Sequence, residues 1–252
     1  MTVTKDLYEL GDAPPLGTAP KRMYASLIRQ ERYGQPVDAF RTEVVDVPPV
    51  GPGQVLVKVM AAGVNYNNVW AALGEPLDVI AARQKQGTTE DFHIGGSDLS
   101  GIVWAVGDGV RLKPGAEVVV LACRWDESAQ DIRLGADPVT SSTQRVWGYE
   151  ENYGSFAQFA VVDEYMCHPK PQRLSWAAAS CYMATAATAY RQLFGWEPHT
   201  VRPGDPVLIW GGAGASAVSP SSSCAMSAGS PWPWSPARSA ASSVCGSGRR
   251  GG

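Results

Sequence analysis

The chain has 252 residues, 44% of them hydrophobic, and a formal net charge of -3. That length and apolar content suffice for one large core or two modest ones, and they exclude a disordered or fibrous chain. The slightly negative charge offers no basic surface for nucleic acid or anionic lipid, so we expect no nucleic-acid partner.

The N-terminal extension, residues 1–22, lacks the apolar core of a signal peptide, and no apolar run approaches the length that spans a membrane. We therefore expect a cytoplasmic protein with no membrane partner. The five cysteines include no CxxC pair, and there are only three histidines. These features argue against a disulfide framework and against a structural zinc site.

Residues 23–174 are predicted to form an all-β unit. Short β-rich runs, separated by turn residues, predict strands at 54–60, 99–106, 116–122 and 155–162. Helical spacing that ends at a glycine predicts one helix over 67–74. Residues 123–154 form a long polar insertion, and loops of that length are more often functional than idle.

The pattern changes after residue 174. Ser175 is a candidate N-cap for a helix over 176–194. The short, wholly apolar run at 206–210 is typical of a strand that is covered on both faces, as in a parallel sheet. Residues 175–214 therefore predict the start of an α/β cofactor domain after the β unit.

This order of parts resembles the medium-chain dehydrogenase/reductase superfamily over residues 20–214. The similarity lies in QVLVKVMAAGVNYNNVWAALGEP, HIGGSDLSGIVWAVGDGVRLKPGAEVVV and VRPGDPVLIWGGAG. NYNNVW, the following GEP and RVWGYEENYGSFAQFAVV further resemble the crotonyl-CoA carboxylase/reductase family. That resemblance implies an α/β superfamily member, with a GroES-like β-barrel domain at 23–174 and the first helix and strand of a Rossmann domain at 175–214.

The resemblance also implies a reaction. Members of the family reduce an α,β-unsaturated acyl-CoA with NADPH and trap CO2 on the resulting carbanion. An acyl-CoA and CO2 are therefore the implied substrates, NADPH is the implied cofactor, and a full-length member is expected to be a homo-oligomer.

The zinc-dependent branch of the superfamily carries a His-Glu pair just before the strand at 99–106. This chain has Ser97 and Asp98 there. His93 lies nearby, but a lone histidine without a Cys or acidic partner at ligand spacing is more often a capped loop residue than a ligand. We expect no metal.

Three residues match the family's CO2 site. Asn67 corresponds to the CO2-orienting asparagine, although Asn65, Asn67 and Asn68 would otherwise be interpreted as helix caps. Tyr149 and Glu150 correspond to an aromatic-glutamate pair. The tyrosine would contribute backbone and shape, and the glutamate would fix a water or neighbouring donors near CO2. Without the resemblance, a loop glutamate is usually only solvated.

Gly211 and Gly214 are the candidate cofactor-binding residues. A dinucleotide turn uses a third glycine to pack its helix on the strand, and the family has Gly-Leu-Gly after the position of Gly214. Here Ala215-Ser216-Ala217 follows instead. Removing one base from GGC GGC CTC GGC changes Gly-Gly-Leu-Gly into Gly-Ala-Ser-Ala, which is the sequence observed from Gly214.

The tail, residues 215–252, has twelve serines and lacks Leu, Ile, Phe, Lys, Asp and Glu. Such a composition is typical of a disordered segment. Shifting one possible coding sequence of AGSPWPWSP (228–236) by one base gives Gly-Ile-Pro-Val-Ala-Val-Val-Ser, where the second cofactor-domain strand belongs. We therefore favour a frameshift after Gly214 and an out-of-frame, disordered tail.

Three functions stay open. The first is an enoyl-CoA reductase/carboxylase by family, represented by an N-terminal part that is inactive by itself. The others are a zinc-independent quinone or enone oxidoreductase and a non-catalytic truncated remnant. The carboxylase interpretation predicts that Asn67 and Glu150 face a shared cavity.

Overall fold

The structure is a computed structural model that describes residues 5–195, 197–198, 200–202, 205–209 and 243–245. The chain divides into two compact units, Met1–Met183 and Ala184–Gly252.

The first unit is built mainly from short antiparallel strands. They are β1 (Arg22–Arg29), β2 (Arg41–Asp46), β3 (Gln54–Gly63), β4 (Phe92–Ile94), β5 (Asp98–Val106), β6 (Glu117–Val120), β7 (Cys123–Arg124), β8 (Arg145–Val146), β9 (Phe159–Asp163) and β10 (Cys167–Pro169). Its helices are α1 (Pro36–Ala39), α2 (Tyr66–Leu73), α3 (Val79–Lys85), α4 (Gln130–Arg133) and α5 (Trp176–Ala179).

Two sheets make up most of this unit. The larger has the strand order β10-β6-β5-β3-β9, and the smaller has the order β2-β1-β4. The chain just before β9 joins them, because Ala25 of β1 bridges Ala157 and the Gln158 amide donates to the Tyr24 carbonyl at 3.0 Å. The all-β prediction for this part of the chain is confirmed.

Strand β3 lies between two apolar cores. Side chains alternate across a strand, so Val55 and Val57 enter one hydrophobic cluster while Leu56 enters another. All three side chains are fully buried. Burying both faces explains why the apolar run at 54–60 is nearly continuous.

Most predicted elements of this unit are confirmed. Strands β3, β5 and β6 match the runs at 54–60, 99–106 and 116–122, and α2 matches 67–74. Gly74 ends α2 at a φ of 71°, the left-handed conformation that glycine adopts at low cost. The run at 155–162 is only half strand, because the amides of Ser155 and Phe156 donate to carbonyls of the loop at residues 95–96.

The N-terminal extension packs against the β unit from its first described residues. Tyr8 is buried, its carbonyl accepts from the Gln158 side chain at 3.0 Å, and the Arg22 amide donates to the Asp6 carbonyl at 2.8 Å. The extension is therefore part of the folded unit.

The predicted helix over 176–194 is interrupted. Ser175 caps α5 by accepting from the Ala178 amide, as predicted, but α5 ends at Ala179 and α6 (Met183–Phe194) follows separately. At the break, the side chains of Ser180 and Cys181 both donate to the Ala177 carbonyl. These side-chain donors occupy an acceptor that a continuing helix would bond through its backbone.

The second unit contains α6, apart from its first residue Met183, and a small antiparallel ribbon. Strand β11 (Val207–Ile209) pairs with β12 (Ser243–Cys245). The interpretation of 206–210 as a strand covered on both faces is wrong, since Leu208 is 67% exposed. Of the predicted disordered tail, residues 215–252, only 243–245 are described, and they form β12, while residues 215–242 and 246–252 lie outside the described part of the chain.

Within the described residues, no helix combines the length and the apolar character needed to cross a bilayer. Cys167 and Cys181 are free thiols. Burial raises the pKa of the Cys167 thiol to about 12, which keeps it protonated.

Candidate functional site

The start of α2 carries three asparagines with different roles. Asn68 Oδ1 accepts from the Asn65 backbone amide at 3.0 Å, and Asn65 Nδ2 donates to Asp98 Oδ2 at 2.9 Å. The Asn68 contact belongs to a capping box with Asn65, the role expected of such residues at a helix start. Asn67 takes no part in the cap and points its amide to the segment before β5.

Asn67 donates from Nδ2 to Ser97 Oγ at 2.7 Å. Its Oδ1 is buried and has no hydrogen-bond partner among the described residues. A side-chain amide carries two N–H donors and a carbonyl acceptor, so the contact with Ser97 uses only part of its capacity. The contact with Ser97 therefore leaves the carbonyl acceptor of the amide unused among the described residues.

Tyr149 and Glu150 lie in a tight turn after β8. The Glu150 side chain folds back so that Oε2 accepts from the Val146 amide at 2.7 Å. The Tyr149 ring packs against the Trp70 ring with centroids 6.4 Å apart. Burial, and then the charge of Glu150, raise the pKa of Tyr149, so its hydroxyl stays neutral.

The turn is held against the segment that carries Ser97. Gly148 has a φ of 74° and packs against the Gly96 carbonyl, leaving no room for a side chain. Trp70 lies three positions after Asn67 on α2, and residues at that spacing are neighbours on a helix surface. The structure thus brings α2, Ser97 and the turn at 147–151 into one region.

Glu150 also lines a cavity of about 610 Å³. Its charged lining residues are Arg83, Glu90, Arg124, Arg145, Glu150, Glu151 and Asp163. Asn67 is not among the lining residues, so the shared cavity of Asn67 and Glu150 stays a prediction.

His93 occupies a different environment from the capped loop position that its sequence context indicates. It is fully buried in β4, and its Nδ1 lies 3.1 Å from Nη1 of Arg83. Burial, followed by the charge of Arg83, lowers the pKa of His93 to about 3. The ring is therefore neutral, and because guanidinium can only donate, Nδ1 is the acceptor and Nε2 carries the proton.

Arg83 is a buried charged residue that sequence patterns miss. It is 7% exposed, and its Nη2 donates to the Phe92 carbonyl at 2.9 Å. Nothing in the spacing of α3 distinguishes this arginine from a solvated helix residue. Among the described residues, no group of three His, Cys, Asp or Glu side chains could hold a metal ion.

The polar insertion also lines a second cavity, of about 940 Å³, which shares Arg124, Glu151 and Asp163 with the first. Arg124 donates from Nε to Asp163 at 2.7 Å and from Nη1 to Glu151 at 3.1 Å. Burial raises the pKa of Glu151 against the opposing effect of Arg124. This ion-pair network fastens the insertion to β9 next to the Tyr149–Glu150 turn.

The candidate cofactor residues Gly211 and Gly214 lie outside the described residues. The strand that leads to them, β11, pairs antiparallel with β12. A dinucleotide-binding domain surrounds its first strand with parallel strands and places the phosphates at the following helix. The described part of the second unit therefore does not fit a bound dinucleotide.

A family model and a curated protein both match this chain. Residues 51–172 match the family model of the alcohol dehydrogenase GroES-like domain. A crotonyl-CoA carboxylase/reductase of Cereibacter sphaeroides is 50% identical over 210 residues, which are 83% of this chain and 48% of that protein.

Solved structures agree. The crotonyl-CoA carboxylase/reductase AntE in complex with NADP is 93% identical, with a TM-score of 0.87, over 89% of this chain and 55% of that one. The 2-octenoyl-CoA carboxylase reductase CinF, in complex with NADP and 2-octenoyl-CoA, is 32% identical, with a TM-score of 0.76, over 84% of this chain and 51% of that one. The chain spans about half the length of the relatives that it matches.

Proposed function

Because the chain belongs to the crotonyl-CoA carboxylase/reductase family of the medium-chain dehydrogenase/reductase superfamily, we propose that it carries part of the site for reductive carboxylation of an α,β-unsaturated acyl-CoA. The observation that carries the proposal is the position of Asn67. The Asn67 side-chain amide takes no part in the helix cap and donates to Ser97. Tyr149 packs against Trp70, which lies on the same helix as Asn67.

The chemistry requires CO2 to be held still. Reduction of the double bond leaves a carbanion at the α-carbon, which attacks the carbon of CO2 to form a C–C bond and a carboxylate. CO2 is linear and uncharged, so capture depends on donors placed in advance near its oxygens. The remaining N–H of Asn67 is such a donor, and Glu150, fixed by the Val146 amide, is suited to hold a water or a second donor.

The 252-residue chain by itself is proposed to be inactive. NADPH supplies the hydride in this family, and the antiparallel pairing of β11 with β12 does not fit the sheet that would bind it. This pairing supports a non-catalytic chain, and Ala215-Ser216-Ala217, in place of the family's Gly-Leu-Gly, supports a frameshift after Gly214. Sequencing the coding DNA across codons 210–220 tests the frameshift directly.

The activity is tested in the frame-restored chain, meaning the chain with one base restored after Gly214 and the downstream half that this reopens. The measurement is the ratio of carboxylated to saturated acyl-CoA formed from crotonyl-CoA with NADPH and bicarbonate. Asn67→Ala and Glu150→Ala are expected to lower the ratio by roughly tenfold or more, because each removes a group that holds CO2.

Glu127→Ala is the matched control, since Glu127 is an exposed glutamate of the same insertion. It is expected to leave the ratio unchanged. Equal loss of reduction and carboxylation in the Asn67 and Glu150 variants would contradict the proposal, because it would make both residues structural.

A further inference from the structure

Ser97 is the contact that sets the position of the Asn67 amide. We propose that Ser97 is a positioning residue for CO2 capture, holding the Asn67 amide through its hydroxyl; this rests on the proposed function. Ser97 is 2% exposed, and its Oγ accepts from Asn67 Nδ2 at 2.7 Å. A bond of this length to a buried hydroxyl anchors the half-buried amide of Asn67 at the segment before β5.

Ser97, just before β5, and Asp98, its first residue, both hold side-chain amides at the start of α2. Ser97 holds Asn67, and Asp98 holds Asn65 at 2.9 Å. In the zinc-dependent branch these positions carry the His-Glu pair. Here a hydroxyl and a carboxylate instead accept from the side-chain amides of Asn67 in α2 and of its N-cap residue Asn65, so the segment fixes the start of the helix.

A serine hydroxyl is suited to this task because it can donate or accept. In the present orientation it accepts from Nδ2 and leaves Oδ1 buried without a partner. A half-turn of the amide would let Ser97 donate to Oδ1 and would present both N–H groups on the side where Oδ1 now lies. An unpaired buried acceptor costs free energy, and this turn would pair it. Because Ser97 can bond either end of the amide, Asn67 can turn its N–H groups towards an acceptor such as CO2 and keep its bond to Ser97.

Asn67 is held through its backbone and through one side-chain hydrogen bond. The helix cap fixes the backbone through Asn65 and Asn68. Beyond the backbone, Ser97 is the side chain that the structure places on the Asn67 amide. Removal of the hydroxyl should therefore free the amide while leaving the helix in place.

The first test is spectroscopic and needs no cofactor. The Asn67 side-chain NH2 signals of the 252-residue chain are assigned in nitrogen-15 correlation spectra by their loss in Asn67→Asp. Ser97→Ala is expected to shift these signals and speed their exchange with water, and Ser97→Thr, which keeps the hydroxyl, is expected to restore them. Ser100→Ala is the control, because Ser100 is a buried serine in β5, three positions after Ser97, and its hydroxyl donates to the Trp176 carbonyl.

Unchanged Asn67 signals in a folded Ser97→Ala chain would overturn the proposal. If Ser97→Ala fails to fold, Ser97→Cys decides by the same criterion, since it keeps the volume and weakens the hydrogen bond.

The second test uses the frame-restored chain and the product ratio. Ser97→Ala should lower the ratio of carboxylated to saturated product by roughly fivefold, the effect of one lost hydrogen bond, while Ser97→Thr retains it. A lower ratio in Asn67→Ala with no change in Ser97→Ala overturns this inference alone. No change of the ratio in Asn67→Ala overturns the proposed function itself.

Discussion

Arg83 donates from Nη1 to Nδ1 of His93 across 3.1 Å in the interior of the first unit, without a carboxylate between them. Only one member of the pair is charged, because the guanidinium keeps its proton and the imidazole must stay neutral beside it. The Phe92 carbonyl accepts from both Arg83 and the Asn152 side chain, which links this pair to the turn that carries Glu150.

The Arg83–His93 pair predicts a pH dependence of stability. The pKa of His93 is about 3 in the folded chain, against an ordinary value of 6.5. Below pH 6.5 His93 takes up a proton in the unfolded chain but not in the folded chain, so the free energy of unfolding falls as the pH falls. The slope from this one residue approaches about 1.4 kcal/mol per pH unit.

The measurement is urea unfolding between pH 4.5 and 8. His93→Gln, which can still accept from Arg83 but does not titrate, is expected to flatten the curve below pH 6.5. His168→Gln, which changes an exposed histidine, should leave the slope as it is. Parallel curves for the native chain and His93→Gln would show that His93 titrates normally.

The contact between Gly148 and Gly96 predicts that adding one methyl group at position 148 strongly destabilises the fold. Gly148 has a left-handed φ, and a Cβ there would overlap the Gly96 carbonyl. Gly148→Ala should lower the free energy of unfolding by more than about 3 kcal/mol.

Gly135→Ala is the matched control, because Gly135 also has a left-handed φ of 88° but open space around it. It should cost only about 1 kcal/mol. Equal costs in thermal or urea unfolding would mean that the turn at 147–151 is not pressed against residues 95–97.

Asn152 predicts a measurable link between β4 and the same turn. Its Oδ1 accepts from the Ile94 amide at 2.8 Å, and its Nδ2 donates to the Phe92 carbonyl at 3.1 Å. Asn152→Ala loses both bonds and should destabilise the chain by about 1–3 kcal/mol. Hydrogen exchange of the Ile94 amide should rise, and Asn152→Asp, which can still accept from Ile94, should protect that amide better than alanine does.

Local patterns identified much of the β unit. Strands β3, β5 and β6 have apolar runs bounded by turn residues, and α2 ends at a glycine that its geometry requires, so these elements follow from neighbouring residues alone. The break between α5 and α6 could not be predicted this way, because Ser180 and Cys181 fit a helix by spacing and interrupt it through bonds to the Ala177 carbonyl.

In the candidate site, too, the residues themselves could be predicted, whereas their long-range contacts could not. Asn67, Tyr149 and Glu150 were selected by resemblance, since an asparagine at a helix start and a glutamate in a loop have ordinary structural roles. Their long-range partners carry no local pattern. Ser97 on Asn67, Trp70 on Tyr149 and Arg83 on His93 are contacts that only the fold creates.

The last prediction concerns the cofactor. A dinucleotide needs backbone donors at a glycine turn, a helix N-terminus for its pyrophosphate and a second parallel strand for its ribose. Strand β11 instead pairs antiparallel with β12, and Ala215 follows Gly214 where the family has glycine. The 252-residue chain should therefore show no saturable NADPH binding by fluorescence or calorimetry and no oxidation of NADPH with crotonyl-CoA. The frame-restored chain should bind NADPH and oxidise it only when an enoyl-CoA is present. NADPH binding by the 252-residue chain would contradict the interpretation of residues 207–217 as an interrupted cofactor turn, whereas failure of a well-folded frame-restored chain to bind it would contradict the frameshift.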